Sequence, residues 1–182
     1  GQFGPARVRI NKHLRLNEDD GVAHFLFGLS YHREQKFAEA LPHFERAIAI
    51  DPEYSPSFHF QGWCLYSLGR IEDAESSFRR HLEFQPRDAE SHFALGLIEF
   101  ERDALNDARS SYERALRYTP REPGYEKRRS KSLTRLAQVD IAEERHEDAR
   151  GRLEEATSLF PDHYEAWNIL RRVLLRAGDE EG

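Results

Sequence analysis

The 182-residue chain contains no methionine, one cysteine and only 4 lysines against 23 arginines, and it holds no long apolar run. Each shortage removes a possibility. With Cys64 alone no internal disulfide can form, which leaves the redox compartment open, with cytoplasm favoured over periplasm. Although 38% of residues are apolar, no run approaches the roughly 20 residues needed to span a bilayer, and the apolar content argues against disorder. A formal charge of -6 argues against nucleic acid as the partner, because phosphate binding calls for a basic surface. No phosphate loop, nucleophile elbow or distinctive carboxylate pair is present, so neither catalysis nor a cofactor is expected. The nine histidines include no H-x-x-x-H pair with a Glu, and His24 and His32, the nearest pair on one helix, stand eight apart, so no metal site is expected. Scarce lysine beside abundant arginine predicts a GC-rich bacterial genome. The chain begins Gly1-Gln2-Phe3-Gly4, without an initiator Met or a charged-then-apolar leader, which predicts a processing or cloning boundary there.

What the chain does have is a period. Ala40, Phe44, Ala47 and Pro52 stand at offsets of 4, 3 and 5, so the first three share one helix face and Pro52 ends the helix. The quartet returns 34 residues on as Ala74, Phe78, His81 and Pro86, and again as Ala108, Tyr112, Ala115 and Pro120. A fourth copy, Ala149, Leu153, Ala156 and Pro161, follows after 41 residues, one period plus an insertion of 7. A second set precedes each quartet: Phe27, Gly28 and Tyr31, then Gln61, Gly62 and Leu65, then Leu95, Gly96 and Glu99. Its glycine removes a side chain where two helices approach closely, so each unit reads as two antiparallel helices.

A 34-residue period with Gly, Ala, aromatic, Ala and Pro at these offsets resembles the tetratricopeptide repeat over about nine tenths of the chain. The resemblance implies an all-α, right-handed α-solenoid of antiparallel helix pairs. Departures from the pattern are Glu99 for the aromatic, Ala137 for the glycine, and His24 and His92 for Trp or Leu.

Residues 1–20 read as a partial repeat whose single helix turns Ala6, Ile10, His13 and Leu16 toward repeat one. Repeat one, 21–54, opens at the N-cap residues Asp19 and Asp20, and Pro42 predicts a kink in its second helix. Repeat two, 55–88, turns at Gly69 in positive φ, and repeat three, 89–122, near Asp103. Residues 123–129, PGYEKRR, form a basic insertion that is expected to extend the next helix backwards by up to two turns from Pro123. It could dock an acidic partner, but a solvated charge run is the commoner case, as for Glu72 with Asp73 and Glu143 with Glu144. Repeat four is 130–163. Residues 164–182 give the first helix of a fifth repeat, in which Trp167, Leu170 and Leu174 are expected to pack inward and Ile169 and Val173 to lie open. That open edge predicts a natural chain continuing past Gly182, or contact with another protein.

The resemblance implies a concave groove lined by the first helices. Carried over position by position, it comprises Val22, Phe25, Leu29, His32 and Arg33, then Pro56, His59, Trp63, Tyr66 and Ser67, then Glu90, Phe93, Leu97, Phe100 and Glu101, followed by a more polar run of Lys131, Thr134, Gln138, Ile141 and Ala142, and then Glu165, Asn168, Arg172, Leu175 and Arg176. The family's carboxylate clamp does not fit, since Phe25, Leu29 and Phe60 occupy three of its positions. The asparagine ladder of sugar-transferring relatives fails likewise at Leu26, Phe60, Ala94, Arg135 and Ile169. An apolar groove remains, with Trp63, Tyr66, Phe93 and Phe100 as anchors or as ordinary interhelix packing. Arg33, Arg135, Arg172 and Arg176 are expected to orient acidic partner groups. His24, His81 and His92 are expected to be semi-buried, hydrogen-bonded core residues, and Cys64 an apolar filler. The expected function is a non-catalytic scaffold that binds a peptide or helical segment of a protein partner. The alternatives are self-assembly into a homo-oligomer through the open helical ends, or the non-catalytic arm of a larger enzyme.

Overall fold

The computed structural model describes residues 4–180, among which there are ten helices and no strand. They divide into two compact units, one through Pro86 and the other from Arg87. The first unit holds α1 (Gly4–Leu14), α2 (Gly21–His32), α3 (Phe37–Ile50), α4 (Pro56–Ser67) and α5 (Ile71–Phe84). The second holds α6 (Ala89–Glu101), α7 (Leu105–Tyr118), α8 (Glu126–Ala142), α9 (His146–Leu159) and α10 (Tyr164–Glu180). Among the described residues no helix is long and apolar enough to cross a membrane.

Within each unit the chain stacks antiparallel helix pairs, and the two recurring residue sets lock each pair. Gly21 at the start of α2 lies beside Ile50 at the end of α3, whereas Gly28 further along meets Phe44, as an antiparallel pair requires. A Cβ at Gly28, Gly62 or Gly96 would sit 3.0, 2.8 or 2.6 Å from the ring of Phe44, Phe78 or Tyr112 respectively. All three rings are fully buried, as are the alanines and leucine of the four quartets. In the fourth pair the ring gives way to Leu153, and Ala137 stands in the glycine's place within the same core cluster.

Each pair is closed by a turn residue in the left-handed region. Gly69 (φ 77) and Asp103 (φ 60) occupy the expected places, and Gln35 (φ 59) and Glu144 (φ 61) stand in the same phase. Asp20 caps α2 by accepting from Ala23 N (2.9 Å), and Asp88 caps α6 by accepting from Ser91 N (2.7 Å). Asp19 instead pairs with Arg46 at 2.6 Å. The α3 helix stays unbroken from Phe37 to Ile50 with Pro42 exposed within it.

The ends and the insertion depart from expectation. Ala6 and His13 of α1, and Leu16 just after it, are exposed rather than turned to a core, because a lone terminal helix has only one neighbour. Arg7 fastens it, pairing with Glu34 at 3.1 Å and lying 4.6 Å over the Tyr31 ring. The backward extension of α8 is one turn, beginning at Glu126, while Pro123 stays outside the helix beside Gly124 (φ 100). Arg129 of the basic run donates to the carbonyls of Leu116 and Thr119 at 3.2 Å, closing the end of α7. The face of α10 is also corrected. Ala166, Leu170 and Val173 enter the core with Ile169 packed against it, and Trp167 and Leu174 are 48% and 41% exposed. The buried set matches the phase of Ala23, Ser57, Ser91 and Ser132, and small residues there let α10 approach α9 closely.

Candidate functional site

In the first unit the expected groove residues converge as an aromatic cluster on α2 and α4. Phe25 is buried, with its ring 5.8 Å from Phe44, 5.1 Å from Tyr54 and 5.7 Å from Phe60. His32 stands edge-on to Phe60 at 5.2 Å, and buried His59 meets the other side of that residue at 5.1 Å. Burial, with the His59 and Arg33 charges nearby, holds His32 below the ordinary imidazole range. Trp63 packs edge-on against Phe78 at 5.3 Å and against Tyr66 at 6.0 Å. Leu29, His32, Trp63 and Tyr66 remain half-buried and present partial faces, while Arg33 is exposed. Phe25 and His59 therefore support the surface from beneath.

In the second unit Phe93, Leu97 and Phe100 are half-buried on α6 and packed against the core of Ala108, Tyr112, Leu136 and Val139. Beyond them opens a cleft lined by Phe100, Gln138, Ile141, Ala142, His146, Ile169, Arg172, Val173 and Arg176. Its floor is apolar. Thr134 does not join it. That residue is buried and its hydroxyl donates to the Ser130 carbonyl at 2.8 Å. Arg135 is committed to Glu165 at 3.1 Å and to Gln138 at 2.6 Å, so its charge is already answered within the protein. Arg172 and Arg176 are exposed.

Of the expected core groups His81, His92 and Cys64 are buried and His24 is half-buried. Nδ1 of His81 donates to the Ser55 carbonyl at 2.8 Å, which ties α5 to the start of α4 and satisfies a histidine at an alanine position. His92 is buried against Tyr118, and burial pushes the Cys64 thiol up to about 12.

Two polar clusters escaped the sequence reading. Asp140 is fully buried, and Arg109, Arg145 and Arg152 reach it at 2.8, 3.1 and 2.9 Å. Glu143 joins through Arg109 and Arg145, so it is a network member rather than a solvated surface acid. Burial raises the Asp140 carboxyl above its ordinary range against the pull of Arg152 and Arg109. The available signal was its phase: Asp140 occupies the place of Tyr31 and Leu65. The second cluster sets Ser130 Oγ 2.7 Å from His163 Nδ1, whose Nε2 is 3.9 Å from Glu165. Ser130 is fully buried and donates its proton to the Ala156 carbonyl at 2.8 Å, so His163 Nδ1 is the donor to it and the hydroxyl is a structural tie, not a nucleophile.

Comparison with known proteins agrees with this architecture. Two tetratricopeptide repeat models match residues 31–98 and 134–182. The chain belongs to the tetratricopeptide repeat family, whose members serve as protein-interaction scaffolds. No curated protein matches it. Among solved structures it is similar to YrrB, described as a TPR protein with an unusual peptide-binding site, at TM-score 0.76 and 22% identity, over 93% of this chain and 84% of that one. It is also similar to MamA from Desulfovibrio magneticus RS-1, at TM-score 0.77 and 16% identity over 90% and 89% of the two chains. For pilF of Pseudomonas aeruginosa the values are 0.75 and 17%, over 87% and 69%. At these identities the likeness is one of fold.

Proposed function

We propose that the protein is a non-catalytic scaffold that holds a peptide or helical segment of a protein partner against the faces of its first helices. The observation that carries this reading is the cleft between α8 and α10, where an apolar floor lies beside Arg172 and Arg176. The half-buried rings of Trp63, Tyr66, Phe93 and Phe100 support it, since rigid aromatics offer contact area for little lost entropy. His59 packs edge-on to Trp63, and buried Phe25 lies against Phe60; Leu29, His32 and Arg33 on the first unit and Leu97 on the second supply further surface. Likeness to YrrB, named for a peptide-binding site, is consistent with such a role. The test is capture from a lysate of the source organism with the wild-type chain and with Trp63→Ala plus Phe100→Ala, both checked for unchanged helicity. Partners lost only from the variant are expected. Partners retained equally by both would contradict the reading.

A second reading is favoured by the exposed apolar face of α10, where Tyr164, Trp167, Leu174 and Leu175 are 77, 48, 41 and 61% exposed. Self-association through it predicts a concentration-dependent mass in sedimentation that Trp167→Glu with Leu174→Glu abolishes. A monomer at every concentration would dismiss it.

A further inference from the structure

A groove of about 520 Å³ runs between α7 and α9, the second helices of the third and fourth pairs. It lies at the insertion. Residues 119–125, which part α7 from α8, are the longest connection among the described helices. Between residues 113 and 135 the chain carries eight lysines and arginines against three acids, in a protein of formal charge -6. Four arginines line the groove: Arg117 from α7, Arg121 from the connection, Arg129 from α8 and Arg152 from α9. Two of them are pinned from behind. Arg129 donates to the Leu116 and Thr119 carbonyls at 3.2 Å, and Arg152 reaches Asp140 at 2.9 Å. Neither partner cancels a whole charge, since a carbonyl carries none and Asp140 is shared with Arg109 and Arg145. Arg117 and Arg121 are exposed, and neither pairs with an acid among the described residues, although Glu113 stands one turn from Arg117 on α7. Beneath these charges Leu116, Leu133 and Leu136 form an apolar floor.

We propose that this groove is a second docking surface, which takes a short acidic segment of a partner protein. One leucine-sized side chain covers the floor, and carboxylates meet Arg117 and Arg121 in the two-pronged geometry that guanidinium groups favour. Arg129 and Arg152 are already held in place, so their charge acts on the ligand at little further cost in side-chain entropy. Nucleic acid fits less well. Glu113 and Glu155 share the lining, and Glu122 and Glu126 line the adjoining recess that also contains Arg121 and Arg129. A continuous phosphate backbone meets those acids, whereas a segment with one or two carboxylates beside an apolar residue avoids them. With the first-helix surface engaged as well, one chain holds two partners at once.

The experiment selects a random dodecapeptide library displayed on phage against the purified full chain. Binding of the enriched peptides is then measured to wild type, to Arg117→Glu with Arg121→Glu, and to Trp63→Ala with Phe100→Ala, with labelled poly(U) RNA titrated in parallel. Both arginines are exposed, and circular dichroism verifies that each variant folds. The expected result is a class of peptides that pairs aspartate or glutamate with a leucine-sized residue. Their affinity falls roughly tenfold or more in the double arginine variant, weakens with rising salt and is unchanged in the aromatic variant. The absence of such a class, or acidic peptides that bind the arginine variant as well as wild type, overturns the inference. RNA that binds wild type but not the arginine variant, with no acidic peptide class, overturns it in favour of nucleic acid. If every enriched peptide depends on Trp63 and Phe100 alone, the inference falls and the scaffold reading stands.

Discussion

Gly96 of α6 faces the buried ring of Tyr112 on α7 so closely that a Cβ at the glycine would lie 2.6 Å from Cδ1 and Cε1 of the ring. No real Cβ tolerates that distance, and Tyr112 is fully enclosed and has nowhere to move. Alanine ordinarily stabilises a helix over glycine by about 1 kcal/mol. Here the overlap reverses the sign, and Gly96→Ala is expected to cost about 1–3 kcal/mol. The cost should diminish at Gly62 and again at Gly28, following their distances of 2.8 and 3.0 Å. Urea unfolding of the three single variants checks the order. Tyr112→Leu placed on Gly96→Ala should relieve part of the loss, imitating Ala137 with Leu153.

The Asp140 network is the second structural commitment. Removing the carboxylate leaves Arg109, Arg145 and Arg152 converging on a buried point, with Glu143 left to answer Arg109 and Arg145 and Asp148 at 3.8 Å from Arg145. Asp140→Ala is expected to destabilise by about 3–5 kcal/mol, the usual cost of breaking a buried ion pair from one side. Thermal unfolding measures it, with exposed Glu155→Ala as a control within about 0.5 kcal/mol of wild type.

The four turn residues lead to an opposite expectation. Gln35 and Glu144 hold φ of 59 and 61°, a region that costs residues with a Cβ about 1–2 kcal/mol each. Gln35→Gly and Glu144→Gly should each stabilise by up to about 1 kcal/mol, since glycine's greater freedom when unfolded offsets part of the relief. Asp103→Gly should gain less, because aspartate tolerates this conformation better. Chemical denaturation midpoints report all three.

Acidification should weaken the fold from near neutrality. Burial holds His32, His43 and His163 below their ordinary value of 6.5. Between that value and their lower folded values the unfolded chain takes up more protons, so stability is full above 6.5 and is lost as the pH falls. His43, stacked on Tyr31 and 4.4 Å from the Phe27 ring, is the clearest case. His43→Gln should flatten the fall in melting temperature between pH 7 and 5. Further down, Asp20 and Glu34 add losses because hydrogen bonds lower their carboxyls, to Ala23 N in one case and from Lys36 in the other, whereas buried Asp140 acts in the opposite sense.

How much of this was legible depended on whether the signal was periodic. The quartets and their facing glycines repeat in phase, so helix pairing and the buried rings could be read directly. The face of α10 was misjudged because bulk was weighed above phase: Trp167 is large, but Ala166, Leu170 and Val173 hold the positions that face the preceding pair. The Asp140 network joins residues 31, 5 and 12 apart, and no periodic pattern links them. Of the expected groove residues in the first unit, Phe25, His32 and His59 gather around Phe60, and Trp63 packs on Tyr66. Phase alone did not distinguish rings that support the surface, such as Phe25, from those that present a face, such as Trp63. Arg135 was expected to be available to a partner, yet its own acid, Glu165, stands two helices further on, at the start of α10.

The most direct test of the scaffold account is site-specific photo-crosslinking in a lysate of the source organism. A photoreactive residue replaces Gln138 at the rim of the cleft or, separately, exposed Glu45 on α3. The account predicts a discrete crosslinked partner from position 138, absent at 45 and diminished when Arg172 and Arg176 are both changed to Glu. Crosslinks from position 45 with none from 138 would contradict it and place the working surface elsewhere on the molecule.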